Sequence, residues 1–481
     1  MTTVAKKKRD TKGNDGKARR KKIYQQIIVA ISSTASFLVV LHFIGILPRN
    51  DNSNVGLRVG RQARLEALRK IGQQKKSVAS QGHHEGGRKH GLLPMREALM
   101  DPNYDPVARA LAQQILAADT NLIEIESEPN LIKDDSYHGI VAVFCPLNFA
   151  AQKAKPPELP MFRDVVSASN CEGKHRIRVD FKEAVELARE FDIDAAEQND
   201  ETAPKILELK GVVFHESRCG STLAANSMMA LNPVTNRVYS ESSPPISALR
   251  GCGEDYSECS LAGAANLLKD VVYMMGRSND PKEENLFFKF QSVTTRTMDT
   301  FRTAFPSTPW IFLYREPVQV MMSQLDIPKI SRANCVRSKS SSSLVRASVL
   351  KQGYRMEDMD SEEFCAIHLA TLCEAAVRNL EEADGLGLAV KYHPDLVHTF
   401  LDGVFPNHFH LLVDQAGRDR VLKVSGTYSK NRGRHAEGDF KSDSEEKERE
   451  ASQEIRDASN QFLLPSFEAL EQSSYNIKKV Q

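Results

Sequence analysis

Lys210-Gly211-Val212-Val213-Phe214-His215-Glu216-Ser217-Arg218-Cys219-Gly220-Ser221-Thr222, followed by LAANSMMAL over residues 223–231 and then Asn232-Pro233, is the most informative stretch of this 481-residue chain. The apolar run at residues 211–214 predicts a buried strand. The run after Thr222 predicts a helix, with Asn232-Pro233 as its stop. Strand, short glycine-containing loop and helix form the opening of a phosphate-binding βα unit. The first N–H groups of such a helix have no partner within it, and together with the helix dipole they favour an anion. Gly220 permits close approach of the backbone, Ser221 and Thr222 add hydroxyl donors, and Arg218 adds a permanent charge with a planar fork of donors.

Working outward, further strands are expected at residues 237–239, 286–290 and 310–314, with helical segments between them. Strands alternating with helices predict an α/β fold, a P-loop-type parallel sheet with helices on both faces. A nucleoside-triphosphate loop of this kind requires G-x-x-x-x-G-K-[ST], and here Gly220 is followed by Ser rather than Lys. That mismatch disfavours ATP and GTP.

Upstream, the first 22 residues carry ten Lys or Arg against Asp10 and Asp15, although the whole chain has a formal net charge of only +1. Residues 23–48 (IYQQIIVAISSTASFLVVLHFIGILP) contain no Lys, Arg, Asp or Glu. At about 1.5 Å per residue that stretch spans a hydrocarbon core of about 30 Å, so it is read as a transmembrane helix. A cleaved signal peptide has a shorter apolar core and a small-residue cleavage site, which is not evident here. The basic cluster would stay cytoplasmic, which puts everything after Pro48 in the lumen of a secretory compartment. Residues 49–135 read as a polar stem with one helix near 106–118, and residues 136–200 as a small extension. That extension holds the apolar strand GIVAVF, a proline-rich loop and the amphipathic stretch FKEAVELAREFDID. Residues 201–481 form the α/β domain of this reading. Eight cysteines suit an oxidising compartment, and Cys252 and Cys259 make a plausible local bridge. With no Cys-x-x-Cys pair and no spaced His ligands, no metal is expected. The His-rich stretch QGHHEGGRKHG reads as a solvated linker.

The segment Ser217-Arg218-Cys219-Gly220-Ser221-Thr222 after a strand is similar to the 5′-phosphosulfate loop of the P-loop sulfotransferases, closest to the membrane-anchored Golgi carbohydrate enzymes. Later, Trp310-Ile311-Phe312-Leu313-Tyr314-Arg315-Glu316-Pro317 with Ser323 resembles that family's second signature, a strand ending in R-x-P and followed by a serine. Residues 390–396 also look like its late Tyr-x-x-Asp-Leu strand end, so the resemblance covers residues 210–407. It implies that Arg218, Cys219, Gly220, Ser221 and Thr222 hold the 5′-phosphosulfate of 3′-phosphoadenosine 5′-phosphosulfate, while Arg315 and Ser323 hold the 3′-phosphate. Arg432-Gly433 and residues 438–441 resemble only loosely a C-terminal loop of cytosolic members, which makes Arg432 a weak candidate for the nucleotide.

Sulfuryl transfer, like phosphoryl transfer, asks the protein to cradle anionic oxygens, to position an acceptor and to stabilise charge on the leaving phosphate. The cytosolic enzymes place a catalytic His two residues after a Lys. Here Phe288-Lys289-Phe290-Gln291 has Gln at that position. Glu241 resembles the Glu strand end of carbohydrate-type members and is the preferred base, with Glu216 and His215 as alternatives. Lys289 is placed either on the sulfuryl oxygens or in a plain strand-end salt bridge.

Residues 327–355 hold seven basic residues and no acid, either as a loop over the site or as a solvated insertion. Residues 437–457 read as an exposed charged helix face without chemistry. The expected partners are a membrane and an acceptor glycan, protein or small molecule, without nucleic acid. Two rivals stay open: a non-catalytic tethered relative, and a kinase with an atypical loop.

Overall fold

The computed structural model describes residues 91–133, 135–171, 175–325, 334–337, 342–426 and 443–477, and residues 91–481 form one compact unit. After two helices, Met95–Met100 and Pro106–Leu116, comes a small antiparallel sheet, β1 (Asn121–Glu126), β2 (Val141–Cys145) and β3 (Ile177–Asp180), with β2 in the middle. The helix α1 (Phe181–Glu197) follows directly. Asp180 caps it by accepting the Glu183 N–H at 3.0 Å.

The second sheet is larger and wholly parallel. Its strands are β4 (Glu208–His215), β5 (Asn236–Ser240), β6 (Asn285–Lys289), β7 (Trp310–Tyr314), β8 (Gly387–Lys391) and β9 (Asn476–Ile477). They lie in the order β9-β8-β7-β4-β6-β5. After β4 the chain runs to the β5 edge, returns to fill β6, and then crosses to β7 on the other flank. The winding therefore reverses between β4 and β7, and the crevice outside the carboxyl ends of those two strands is where open α/β sheets take ligands.

Apolar side chains on both sides of every central strand produce this sheet. Val212, Phe214, Phe288, Trp310, Phe312 and Tyr314 belong to one core, whereas Val213, Phe287, Ile311, Leu313 and Val390 belong to the other. This is the period-2 alternation of a strand buried on both faces. The first core is closed by α4 (Leu261–Gly276) and α6 (Ser361–Glu382), and the small antiparallel sheet shares it. The second is closed by α2 (Ser221–Leu231) and α7 (Gln415–Ser425). The α3 helix (Ser243–Arg250) and α5 (Pro317–Leu325) follow β5 and β7 directly.

The strands expected at 237–239, 286–290 and 310–314 are present, each within a residue or two of its expected ends. Much of residues 91–135, assigned to a stem, is folded instead. Helices Met95–Met100 and Pro106–Leu116 and strand β1 bury Met95, Ile115 and Leu122 in the first core. The extension read at 136–200 thus starts earlier and includes β1. The Cys252–Cys259 bridge is formed, together with Cys145–Cys171 and Cys335–Cys365. The expected tail 1–22 and anchor 23–48 lie outside the described residues, as does Arg432. Among the described residues no helix is long and apolar enough to cross a membrane. Of the basic stretch 327–355, residues 334–337 and 342–355 are described. They include helix Ser343–Lys351.

Candidate functional site

Five strand ends carry the candidate residues in lateral order: Glu241 after β5, Lys289 closing β6, His215 with the loop after β4, Arg315 after β7 and Tyr392 after β8. The β4 loop is at the centre. Ser217, Arg218 and Gly220 have φ of 81°, 56° and 85°, so the backbone turns sharply before α2 begins at Ser221. Gly220 is the N-cap of α2 and offers no side-chain acceptor, which leaves the first N–H groups of the helix without a capping side chain. Only glycine fits there, because a Cβ would stand 2.9 Å from both Leu396 and Tyr392.

Of the loop residues, Ser221 is buried and Thr222 half-buried in the first helical turn. The side chain of Cys219 is engaged away from the crevice. Its thiol is buried under the loop and donates to the Leu313 carbonyl at 3.1 Å, so Cys219 offers the crevice only its backbone.

The loop and the β7 end are in direct contact. Leu313 pairs with His215 in the sheet, the Arg218 Nε donates to the Ser323 carbonyl at 3.0 Å, and the Arg315 backbone N–H donates to the Glu216 carboxyl. Arg315 lies 4.5 Å above the Tyr392 ring, a cation–π contact that fixes the plane of the guanidinium. Its Nε donates to Gln319 at 3.1 Å, its Nη1 reaches Ser323 Oγ at 3.5 Å, and its Nη2 donates to Asp443 at 2.8 Å and Ser444 at 3.0 Å. Arg218, Gly220, Arg315 and Ser323 therefore meet in one place.

On the other side of the loop, the Lys289 ammonium is paired with the Glu241 carboxylate, whose backbone N–H also donates to the Lys289 carbonyl at 2.7 Å. Lys289 is 1% exposed, while Glu241 at 22% keeps an open edge. Burial works to raise the Glu241 carboxyl, but the Lys289 ammonium outweighs it, with smaller help from His215 and Arg163, and holds it below the ordinary range. Glu241 is thus an ionised acceptor beside a cation. Its φ of 54° is an unusual conformation for a glutamate, held by the surrounding structure.

The two alternative bases are differently engaged. The Ser217 N–H can only donate, so Nδ1 of His215 accepts it at 2.9 Å, and Nε2 carries the ring proton toward the Phe290 carbonyl at 2.9 Å. The ring, held at both nitrogens, orients the loop, and its Nε2 also stands 4.0 Å from the Glu241 carboxylate. Glu216 is 1% exposed, and burial pushes its carboxyl up to about 8, against the opposing effect of the Arg315 N–H. At neutral pH it is a protonated, bonded group between β4 and β7. Gln291 is half-buried just beyond β6.

Sequence reasoning missed Asp443 and Lys447. Residues 437–457 were read as an exposed face, yet α8 (Ser444–Glu450) brings Asp443 to Arg315 and the Lys447 Nζ to Ser323 Oγ at 2.6 Å. No local signal marks them, since their partners stand more than a hundred residues away in the chain. Tyr392 was visible as part of a strand end, but its place under Arg315 was not. No protein-family model matches the chain, and no curated protein matches it.

Proposed function

We propose that this chain is a sulfotransferase that moves a sulfuryl group from 3′-phosphoadenosine 5′-phosphosulfate to a hydroxyl or amine of a lumenal acceptor, with carbohydrate as the favoured class. The observation that carries the proposal is the meeting of the Gly220 loop with Arg315 and Ser323 at the reversal point of the sheet, with Lys289 and Glu241 on the loop's other flank. A donor with phosphates at both ends of its adenosine needs two anion sites, and an acceptor needs a base beside the transferred group.

The residues fit such a donor. The first N–H groups of α2 lack a capping side chain, Arg218 stands beside them, and Arg315 already binds an anionic oxygen, that of Asp443, at 2.8 Å. When bound, the donor supplies an activated sulfuryl group on a phosphate leaving group. Arg218, Gly220, Ser221 and Thr222 would hold the 5′ end, and Arg315 and Ser323 the 3′-phosphate. Glu241 would accept the acceptor's proton at a carboxylate oxygen, and Lys289, paired with that oxygen, would turn toward the charge that develops on the transferred group.

The chain would be a type II protein of a Golgi or other secretory membrane, anchored by residues 23–48. Three disulfides in the folded unit favour an oxidising compartment. Calorimetry with 3′,5′-adenosine bisphosphate, ADP and ATP tests the reading, followed by transfer of radiolabelled sulfate to fractionated cellular material. Preference for the bisphosphate is expected, weakened about 10- to 100-fold by Arg315→Ala, the scale of losing a charged hydrogen-bonding group. Equal binding of all three nucleotides, or none, would favour a scaffold or a kinase instead.

A further inference from the structure

Every N–H of Arg315 already has a partner inside the protein. Nε is taken by Gln319 and Nη1 by Ser323 and the Arg218 carbonyl, all on the loop or on α5, which stand in the walls of the crevice. The Nη2 partners are different: Asp443 and Ser444 lie at the head of the short helix α8, outside the sheet. The Asp443 side chain is 44% exposed, against 4% for Arg315. Lys447, one turn along α8, is ion-paired with the same Asp443 carboxylate and also donates to Ser323 Oγ at 2.6 Å. One carboxylate thus lies between two cations, at the serine and arginine assigned above to the 3′-phosphate.

We infer that Asp443 is an internal anion seated in the 3′-phosphate pocket, to be displaced by the nucleotide, and that Lys447 is a further specificity-determining cation of that pocket. The inference rests on the function proposed above. A phosphate monoester carries more charge and more acceptor oxygens than a carboxylate, so it can take over both cations where Asp443 satisfies them singly. Of the partners of Arg315, Asp443 is charged, outermost and part-exposed, which makes it the one that can leave without breaking a wall. Lys447 is held by Ser323 independently of Asp443 and so stays at the pocket when the carboxylate departs. The carboxylate competes with the ligand for the same donors, so wild-type affinity is lower than that of a protein lacking it.

The test is calorimetry on the purified full-length chain with two probes, 3′,5′-adenosine bisphosphate and adenosine 5′-phosphate. Asp443→Asn should bind the bisphosphate about tenfold more tightly and adenosine 5′-phosphate as the wild type does. Lys447→Ala should weaken the bisphosphate about tenfold with no change for the monophosphate, and Lys447→Arg should restore the preference. Matched melting temperatures show that α8 still docks. If Asp443→Asn binds the bisphosphate no better than the wild type, or Lys447→Ala weakens both probes alike, α8 is a structural strut and the inference falls while the nucleotide reading stands. A wild type that does not distinguish the two probes overturns both.

Discussion

Glu216, at the end of β4, accepts the backbone N–H of Arg315, at the end of β7, and so continues by a side chain the ladder that the two strands share. The Glu216 N–H in turn donates to the Leu313 carbonyl at 3.1 Å, and the Cys373 thiol donates to the second carboxyl oxygen at 3.5 Å. Both loops of the crevice are tied to one buried acid. An unpaired N–H at Arg315 would cost about 1–3 kcal/mol in the interior, so the position tolerates few replacements.

Glutamine is one of them, and it yields a pH test. Burial lifts the Glu216 carboxyl from its ordinary 4.5 to about 8. Between those values the folded protein keeps a proton that the unfolded chain releases. Stability therefore declines as pH rises through that window, by up to about 1.4 kcal/mol per pH unit for this one group. Glu216→Gln keeps a carbonyl oxygen as acceptor for the Arg315 N–H but has no proton to lose. Its unfolding free energy, measured by urea titration from pH 5 to 8, should fall less steeply than that of the wild type. Parallel slopes would mean that Glu216 titrates normally.

What the sequence disclosed and what it hid follow from the range of the interactions involved. Residues 310–314 (WIFLY) could be placed as a strand because both faces are apolar and a proline follows three residues later. The β4 loop was legible because its chemistry is local, from Arg218 to Thr222. Strand β1 was not. Its NLIEIE alternates Glu124 and Glu126 with apolar residues, and those acids pair with Arg176 and Arg178, distant in the chain. The same holds for Asp443 and Lys447, whose alternating charges look like a solvated helix until Arg315 and Ser323 are brought to them. Pairing of charges across 52 to 128 residues gives no local sign that they are held rather than solvated.

Gly220 and Gly385 share a φ of 85°, but a Cβ at Gly220 would clash with Leu396 and Tyr392 while one at Gly385 meets nothing within 4 Å. Gly385→Ala therefore measures the backbone penalty alone, about 1–2 kcal/mol. Gly220→Ala should cost more, by about another 1–3 kcal/mol of overpacking, and should also weaken binding of 3′,5′-adenosine bisphosphate, because relief of the clash moves the loop off Tyr392. Denaturant melts and calorimetry on the two variants give the comparison. Equal losses of stability, with equal affinity, would show that the loop does not depend on that contact.

Glu241 and Lys289 test the proton-transfer role, and the sign of the pH effect separates it from a structural ion pair. In the wild type the Lys289 ammonium holds the Glu241 carboxyl below its ordinary value despite burial, so the carboxylate is available throughout the neutral range. Glu241→Gln should lower the rate of sulfate transfer by about 10²-fold or more, the usual contribution of a general base, and leave bisphosphate affinity near that of the wild type. Lys289→Met removes the cation that chiefly opposes burial, leaving only the smaller effects of His215 and Arg163, so the Glu241 carboxyl rises. Activity on acidification is then lost at a higher pH than in the wild type, and a pH–rate profile of radiolabelled sulfate transfer records the displacement. A structural pair would lower the melting temperature in both variants without moving that limb. Transfer by Glu241→Gln at the wild-type rate would remove the residue from the mechanism, and with the imidazole of His215 bonded at both nitrogens and Glu216 protonated, the base would have to come from the acceptor or from solvent.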